Sequence, residues 1–322
     1  MSIKKKIAII GCGNIASFHV PAIRAAGMEI EHCASSPNSK TIKYFATQHN
    51  INQIWSDPKK LANSYDQWDG IIITTSITAT MDLLKIAIKS NKPVLVEKPI
   101  AISSIDLKQF SSSAPTNVIV AYNRRYYNTV QRARDFVLRK QKIRATMTLP
   151  ENISSEFENP FLPHRINSVH GFDILNYIFD SVSIEHVMTS SNDDPFFGRQ
   201  AILRSNAGHL INLNMNWNAP ANFKLSLDDG QEQLDLCPFE KFQLYRGMKV
   251  IEPTKQYPIR QYLPNLVKSG NVFDDMQLNI KPGFLNQSTE FSNLISGKSV
   301  SIGANLTDAY NNQLIAEKLL LI

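Results

Sequence analysis

The chain has 322 residues, of which 43% are hydrophobic and 19% charged, and a formal net charge of +6. A chain of this length typically forms two domains with a substantial core, and its composition argues against intrinsic disorder. The basic residues are dispersed apart from the run Lys4 to Lys6, which favours a solvated surface over a nucleic-acid-binding patch. A basic cleft for a phosphate-bearing ligand stays compatible with this charge.

The cysteines and the apolar runs restrict the cellular setting. Cys12, Cys33 and Cys237 are an odd set without CxxC spacing, so we expect no disulfide framework and no metal site. The apolar run Ile7 to Ile10 is too short for the core of a signal peptide, and no stretch reaches the roughly 18 apolar residues of a membrane span. We therefore expect a cytoplasmic protein that binds neither membrane nor nucleic acid.

Short apolar strands alternate with helical patterns over the first 121 residues. We predict strands at 6–10, 29–34, 70–74, 93–96 and 117–121, and helices at 14–27, 38–49, 77–90 and 103–113. Continuous Val/Ile runs are typical of parallel strands buried on both faces. The pattern predicts an α/β fold whose residues 1–121 form a dinucleotide-binding Rossmann domain with a doubly wound parallel sheet.

The pattern changes after residue 122. We predict helices at 126–141, 166–179, 282–296 and 305–320, a strand at 143–149, and successive strands between 184 and 252. "DDGQ" at 228–231 and "RGMK" at 246–249 read as hairpin turns. Residues 122–322 are thus predicted to form a substrate-binding α+β domain with a large, mainly antiparallel, open-faced sheet. The alternation in "LINLNMNW" leaves one face of this sheet wet or covered by a second subunit, so we expect a homo-oligomer, with a dimer as its simplest form.

The first strand leads into "GCGNIA" at the start of a helix. Gly11 permits the tight turn, and Gly13 lets the backbone approach a pyrophosphate. The helix that begins at Asn14 and Ile15 offers free N–H groups and a positive dipole. These four residues are therefore predicted to bind a dinucleotide.

The end of the second predicted strand bears on the choice of cofactor. An NAD site would carry an acid there for the ribose 2′-OH, but this chain has Ser35 and Ser36, followed by Lys40. Two hydroxyls and a cation suit a 2′-phosphate, which favours NADP over NAD. NAD stays open, because Lys40 is equally interpretable as a solvated helix residue.

"VLVEKPI" places Lys98 two residues beyond a predicted strand. Ligands of open α/β sheets bind beyond the carboxyl ends of the strands, so the fold delivers Lys98 to the ligand side. Pro99 restricts the backbone of Lys98, and Glu97 can orient or balance its ammonium group. A lysine beside a nicotinamide can hold a substrate hydroxyl or relay its proton.

Four motifs then occur in the order found in the Gfo/Idh/MocA oxidoreductases: "GCGNIA", "TTS" at Thr74 and Thr75, "EKPI" and "YNRRY". The chain resembles this family over essentially its whole length. The resemblance implies an NAD(P)-dependent dehydrogenase or reductase acting on a sugar, cyclitol or nucleotide-sugar. It also implies cofactor contacts at Thr74, Thr75, Glu97 and Lys98, a catalytic role for Lys98, and a cis peptide as an option at Lys98–Pro99. Local likeness to members associated with surface-polysaccharide sugars favours a nucleotide-sugar or amino-sugar.

The family's second catalytic element is a helix with an Asp-x-x-x-His pattern and a later Asp. In "HRINSVHGFDILNYIF", His170 takes the histidine position and Asp173 the later aspartate, but Ile166 stands where the first aspartate is expected. We predict that His170 donates or accepts the substrate proton. The departure at Ile166 leaves the acid–base assignment open.

Further candidates for substrate contact surround these elements: Asn123, Arg124, His164, Arg165, Asn167 and Asp173. The pair Arg124 and Arg125 is either a salt-bridging domain hinge or part of an anion site.

Two other functions stay open at this point. One is a hydrolase or lyase that uses bound NAD as a redox catalyst, and the other is a non-catalytic, dinucleotide-sensing protein of the same fold.

Overall fold

A computed structural model describes residues 4–112, 114–152, 161–189, 198–275 and 279–320. Contacts divide the chain into two compact units, the first of Met1–Tyr126 with Met276–Glu317, and the second of Tyr127–Asp275 with Lys318–Ile322. The sequence predicted a boundary at residue 121 with everything later in the second domain, whereas this division places 122–126 and 276–317 in the first unit. No helix among the described residues is both long and apolar enough to cross a membrane.

The first unit contains a parallel sheet in the order β3-β2-β1-β4-β5-β6. Its strands are β1 (Lys5–Ile10), β2 (Met28–Ala34), β3 (Gln53–Trp55), β4 (Gly70–Ile73), β5 (Val94–Val96) and β6 (Val118–Val120). The last four residues of β1 and all residues of β4, β5 and β6 are buried, as their Val/Ile content predicts. The strand order reverses between β1 and β4, which places a ligand crevice at their carboxyl ends.

The helices of the first unit come from both ends of the chain. They are α1 (Asn14–Ala25), α2 (Ile42–Gln48), α3 (Pro58–Asn63), α4 (Ile77–Ala87), α5 (Ser104–Leu107), α9 (Phe284–Ile295) and most of α10 (Leu306–Leu320). Helix α9 belongs here because Phe284 packs on α1, with its ring centroid 4.8 Å from that of His19 and 6.3 Å from that of Phe18. This long-range packing leaves no local signal in the sequence.

The second unit contains an eight-stranded sheet in the order β14-β13-β12-β11-β7-β10-β9-β8. Its strands are β7 (Arg144–Glu151), β8 (Val182–Thr189), β9 (Gly198–Ser205), β10 (Leu210–Trp217), β11 (Lys224–Asp228), β12 (Glu232–Leu236), β13 (Lys241–Ile251) and β14 (Gln261–Asn271). Its helices are α6 (Asn128–Leu138), α7 (Leu162–Ile166) and α8 (Val169–Phe179). Only the β7–β10 pair is parallel among these strands, so the predicted mainly antiparallel sheet is confirmed.

Three local predictions can be compared with this sheet. "DDGQ" does turn between β11 and β12, with Gly230 at φ +87°. The prediction of a turn at "RGMK" was wrong, because β13 runs through it and Gly247, at φ +65°, lies in a bulge. The predicted helix 166–179 starts too early, because α7 ends at Ile166 and a separate helix, α8, starts at Val169.

Candidate active site

The turn after β1 requires glycine at its first position. Gly11 has φ +97°, its N–H donates to the Ala34 carbonyl at 2.8 Å, and an added Cβ would lie 2.4 Å from the Thr74 carbonyl oxygen. The Thr74 hydroxyl donates to the Gly11 carbonyl at 2.8 Å, so the turn is tied to both neighbouring strands. Backbone geometry thus holds the glycine turn at the carboxyl edge of the sheet.

Gly13 serves a different purpose from Gly11. It caps the N terminus of α1 in an extended conformation, and an added Cβ would meet nothing within 4 Å. Asn14 is exposed and Ile15 half-buried, so the first N–H groups of α1 face accessible space. The open side of Gly13 is therefore a cradle that a Cβ would fill, and it fits a pyrophosphate at the helix N terminus.

The loop after β2 carries the residues predicted near the ribose. Ser35 is half-buried and Ser36 exposed, directly beyond the last residue of β2. Lys40 is exposed and precedes α2, which begins at Ile42, so Lys40 lies in the loop instead of the predicted helix. All three residues thus lie in the loop that follows the carboxyl end of β2.

Lys98 follows β5 at the same edge of the sheet. It is half-buried, and its peptide bond to Pro99 is cis. The backbone N–H of Glu97, the residue before Lys98, donates to the Ile73 carbonyl at 2.8 Å. This hydrogen bond fixes the segment after β5 to β4. Thr74 and Thr75 directly follow β4, and the Thr75 hydroxyl shares a 3.0 Å hydrogen bond with that of Thr80. The first unit thus brings the glycine turn, the threonines and Lys98 to one edge.

Glu97 is held by a histidine that sequence reasoning missed. His19, on α1 and only 1% exposed, places its Nε2 atom 2.8 Å from Glu97 Oε1. The other carboxylate oxygen accepts a hydrogen bond from the Lys98 N–H at 3.2 Å. His19 therefore positions the carboxylate that orients the backbone of Lys98. The spacing of His19 from the glycine turn was visible in the sequence, but its partner lies 78 residues away.

The segment after β6 includes the predicted Asn123 and Arg124. Asn123 is buried and donates from Nδ2 to the Pro282 carbonyl at 3.1 Å, while Arg124 is half-buried. Arg125 is buried and lies 3.3 Å from Asp308 within the first unit. Arg125 thus serves as a structural ion-pair residue.

The second unit supplies the helix with the predicted histidine. His170 and Asp173 are 6% and 1% exposed and lie one turn apart on α8. An added Cβ at Gly171 would lie 2.4 Å from Leu149, so glycine allows α8 to pack closely on β7. Sheet packing therefore determines where this helix, and with it His170, is held.

A buried carboxylate lies near the start of α8, although Ile166 breaks the expected pattern. Glu151, at the end of β7, is 8% exposed and accepts hydrogen bonds from Ser168 Oγ at 2.5 Å and from Asn167 Nδ2 at 3.1 Å. It was not among the predicted site residues, since β7 and α8 are separated by a long connection. Glu151 thus anchors the predicted residue Asn167.

The preceding residues His164 and Arg165 lie in α7. Arg165 is half-buried, whereas His164 is 0% exposed with its ring centroid 4.6 Å from that of Trp217. Burial lowers the pKa of His164 to about 3, so its ring is neutral at physiological pH. This environment favours packing over the predicted contact with a substrate anion.

Comparison with known proteins identifies the first unit. Residues 5–122 match the model of the Gfo/Idh/MocA family, described as an oxidoreductase family with an NAD-binding Rossmann fold. The uncharacterized oxidoreductase YrbE of Bacillus subtilis is 27% identical over 184 residues, which cover 54% of this chain and 53% of that protein. The match thus spans about half the length of this curated relative. The predicted family resemblance is confirmed over residues 5–122.

Solved structures show the same fold over nearly the whole chain. A dehydrogenase from Clostridium difficile has a TM-score of 0.75 at 15% identity, covering 99% of both chains. UDP-N-acetylglucosamine 3-dehydrogenase from Acidithiobacillus ferrooxidans has a TM-score of 0.71 at 13% identity, covering 99% of this chain and 97% of that one. Myo-inositol dehydrogenase from Lactobacillus casei, in complex with NAD(H) and myo-inositol, has a TM-score of 0.66 at 15% identity, covering 98% and 93%. These likenesses confirm the predicted fold class.

Proposed function

We propose that this protein is an NAD(P)-dependent oxidoreductase, because residues 5–122 match the model of the Gfo/Idh/MocA oxidoreductase family. It transfers a hydride between nicotinamide and a carbinol or keto carbon of a sugar, cyclitol or nucleotide-sugar. The observation that carries the proposal is Lys98, half-buried at the same sheet edge as the glycine turn. The printed names of the similar dehydrogenases support this substrate class, since they include a cyclitol and a nucleotide-sugar.

The first unit's residues fit a dinucleotide. Gly11 and Gly13, with the N–H groups of Asn14 and Ile15, would hold the pyrophosphate, and Thr74 and Thr75 would line the site beside them. Ser35, Ser36 and Lys40 would receive the adenine-side ribose, and their lack of an acid favours NADP over NAD. The bound cofactor supplies or accepts the hydride.

The protein's own residues handle the proton. Oxidation of a CH–OH group releases one hydride and one proton, and the proton needs an acceptor within hydrogen-bond reach of the oxygen. Lys98 binds that oxygen, and Lys98 or His170 takes the proton during oxidation and returns it during reduction. Asn123, Arg124, Arg165, Asn167 and Asp173 are proposed to contact the rest of the substrate, whereas His164 is assigned to packing because of its complete burial.

A substrate panel tests this function. Sugars, cyclitols and nucleotide-sugars are assayed with NADH, NADPH and their oxidised forms, following the absorbance of reduced nicotinamide. We expect turnover with at least one substrate, and a fall in kcat of about 10²- to 10⁴-fold in Lys98→Ala with little change in cofactor affinity. The matched control is Lys85→Ala, because Lys85 is an exposed lysine on α4.

Two outcomes would contradict the proposal. One is the absence of both cofactor binding and hydride transfer across the panel. The other is product formation from a glycoside without net change in the nicotinamide, which would favour a hydrolase or lyase that uses bound NAD. Equal loss of activity in Lys98→Ala and Lys85→Ala would contradict the catalytic role proposed for Lys98.

A further inference from the structure

Helix α1 buries a histidine at a position where an apolar side chain would make the same packing contact. The ring centroid of His19 lies 4.8 Å from that of Phe284, and the residue is 1% exposed. Its Nδ1 atom has no hydrogen-bond partner among the residues that the structure describes. A buried polar atom without a partner costs free energy. Stability alone therefore does not explain a histidine at this position.

The other ring nitrogen of His19 contacts a carboxylate that is almost as buried. Nε2 lies 2.8 Å from Oε1 of Glu97, whose side chain is 11% exposed. A carboxylate accepts hydrogen bonds at both oxygens, so His19 donates from Nε2. Hydrogen bonds to a carboxylate are stronger than neutral ones, and exclusion of water strengthens them further. This contact therefore links α1 firmly to the segment after β5.

The second oxygen of Glu97 continues the link to the backbone of Lys98. Oε2 accepts a hydrogen bond from the Lys98 N–H at 3.2 Å, and the Glu97 N–H donates to the Ile73 carbonyl at 2.8 Å. Glu97 is thus hydrogen-bonded to α1, to β4 and to Lys98. Without the donor on His19, the carboxylate loses its hydrogen bond to α1 and is free to turn away from the Lys98 N–H.

The same helix provides the proposed binding site of the pyrophosphate. Helix α1 begins at Asn14 and runs without interruption to Ala25. His19 lies about 7.5 Å along the helix axis from Asn14, at 1.5 Å per residue. A helix holds the groups it carries more precisely than a loop does. A dinucleotide at the N terminus of α1 and the carboxylate of Glu97 would therefore both be located relative to one element.

We propose that His19 is a positioning residue, which sets the place of Lys98 relative to the cofactor by acting through the carboxylate of Glu97. This role rests on the proposed oxidoreductase function and on the part of Lys98 in it. It requires no contact of His19 with substrate or nicotinamide. A displacement of about 1 Å at a reacting group can lower a rate by about 10²-fold. Loss of the link should therefore lower kcat and leave cofactor binding nearly unchanged.

Three variants of the full chain test this role in the reaction. His19→Phe keeps a ring against Phe284 but has no donor, so we expect kcat to fall about 10- to 100-fold while the cofactor Kd changes less than about three-fold. His19→Gln retains a donor that reaches Glu97 and should restore kcat to within about five-fold of the wild type. His49→Phe is the matched control and should keep kcat. His49 also shares a hydrogen bond with α1, at 3.2 Å to the Ser17 hydroxyl, but does not contact Glu97.

A double-mutant cycle tests whether His19 acts through Glu97. Glu97→Ala removes the carboxylate and should lower kcat at least as much as His19→Phe does. Adding His19→Phe to Glu97→Ala should lower kcat by less than about two-fold more, because the link is already broken. Additive losses would give His19 a role independent of Glu97 and would overturn the proposal, as would a failure of His19→Gln to restore kcat.

Amide hydrogen exchange, followed by NMR, tests the link without any substrate. Exchange of the Lys98 N–H should become at least about ten-fold faster in His19→Phe and return towards the wild-type rate in His19→Gln. The Glu97 N–H, which is bonded to Ile73, should change less than about three-fold and serves as the internal reference. Circular dichroism melts verify that every variant folds.

This measurement separates the positioning role from the proposed function. If the chain transfers no hydride to any substrate, the proposed function fails, and the exchange rates still show whether His19 holds Lys98. If hydride transfer is found, an unchanged kcat in His19→Phe or unchanged exchange at Lys98 would overturn the positioning role alone.

Discussion

One buried ionisable group in each compact unit shows a different response to burial. In the first unit, burial alone would raise the pKa of Glu290, but hydrogen bonds from Tyr126 and from the backbone N–H groups of residues 301–303 lower it, so the charge is kept. In the second unit, burial lowers the pKa of His164 to about 3 and the ring stays neutral. Donors to the carboxylate thus keep buried Glu290 charged, whereas the loss of hydration keeps buried His164 neutral.

The largest effect that separates the units is expected from His170. Because His170 lies on α8 of the second unit, His170→Ala should lower kcat by about 10²- to 10³-fold and leave the Kd of the cofactor unchanged. Stopped-flow turnover and cofactor fluorescence titration measure the two quantities. His186→Ala is the control, since His186 is exposed on β8. A parallel loss of cofactor affinity would contradict the assignment of His170 to proton transfer without a role in cofactor binding.

The two glycines of the turn should respond differently to alanine. Gly11→Ala places a Cβ 2.4 Å from the Thr74 carbonyl at positive φ, so we expect a loss of about 2–4 kcal/mol in the free energy of unfolding. Gly13→Ala meets no protein atom, so its stability should change by less than about 0.5 kcal/mol while the cofactor Kd rises about ten-fold. Denaturant titration and cofactor binding test both. Unchanged cofactor affinity in Gly13→Ala would show that the pyrophosphate does not bind at this turn.

Acid should act on buried His164 of the second unit before it acts on Glu290 of the first. The pKa of His164 is about 3 when folded and near 6.5 when unfolded, so the unfolded chain binds the proton first and stability falls as pH drops from about 6.5 towards 3. We expect a loss of about 2 kcal/mol between pH 7 and pH 5 from this group. For Glu290 the folded pKa is lowered, so its contribution is lost only as pH falls below the usual value near 4.5.

Denaturant titrations at both pH values measure this loss. His164→Phe keeps an aromatic ring beside Trp217 but cannot be protonated, so its stability should depend less on pH over this interval. An unchanged slope in His164→Phe would assign the acid sensitivity to other groups.

The smallest effect is expected in the exposed loop after β2. Lys40→Ala should weaken NADPH binding about three- to ten-fold without changing NADH binding, because an exposed cation interacts through solvent with a 2′-phosphate. Isothermal titration with both cofactors at low and moderate salt checks this. Equal effects on NADH and NADPH would contradict the predicted preference for NADP.

The first unit was the more predictable because its signals are local. The Val/Ile runs and the glycine turn identify strands and a ligand edge directly, and Lys98 follows from its position after β5. The pairing of His19 with Glu97 was not predictable, since the two residues meet only when α1 and the segment after β5 are packed. The membership of α9 in this unit depends likewise on the contact of Phe284 with α1.

The second unit was predicted less completely. Strand β14 was missed, because Pro264 removes a backbone donor and is tolerated only since β14 is an edge strand. Gly247 suggested a turn, but its positive φ occurs in a β-bulge within β13. Burial of His164 and the anchoring of Asn167 by Glu151 depend on helix–sheet packing, which a single sequence does not specify.

Isotope transfer tests the central claim of hydride transfer most directly. The active substrate–cofactor pair is incubated with NADPH or NADH that carries deuterium at both C4 positions of the nicotinamide, and the product is analysed by mass spectrometry. We expect one deuterium on the product carbon for each reduced cofactor consumed. In Lys98→Ala we expect the rate of formation of this deuterated product to fall with kcat. Product formed without deuterium, or with no net consumption of the reduced cofactor, would contradict the account.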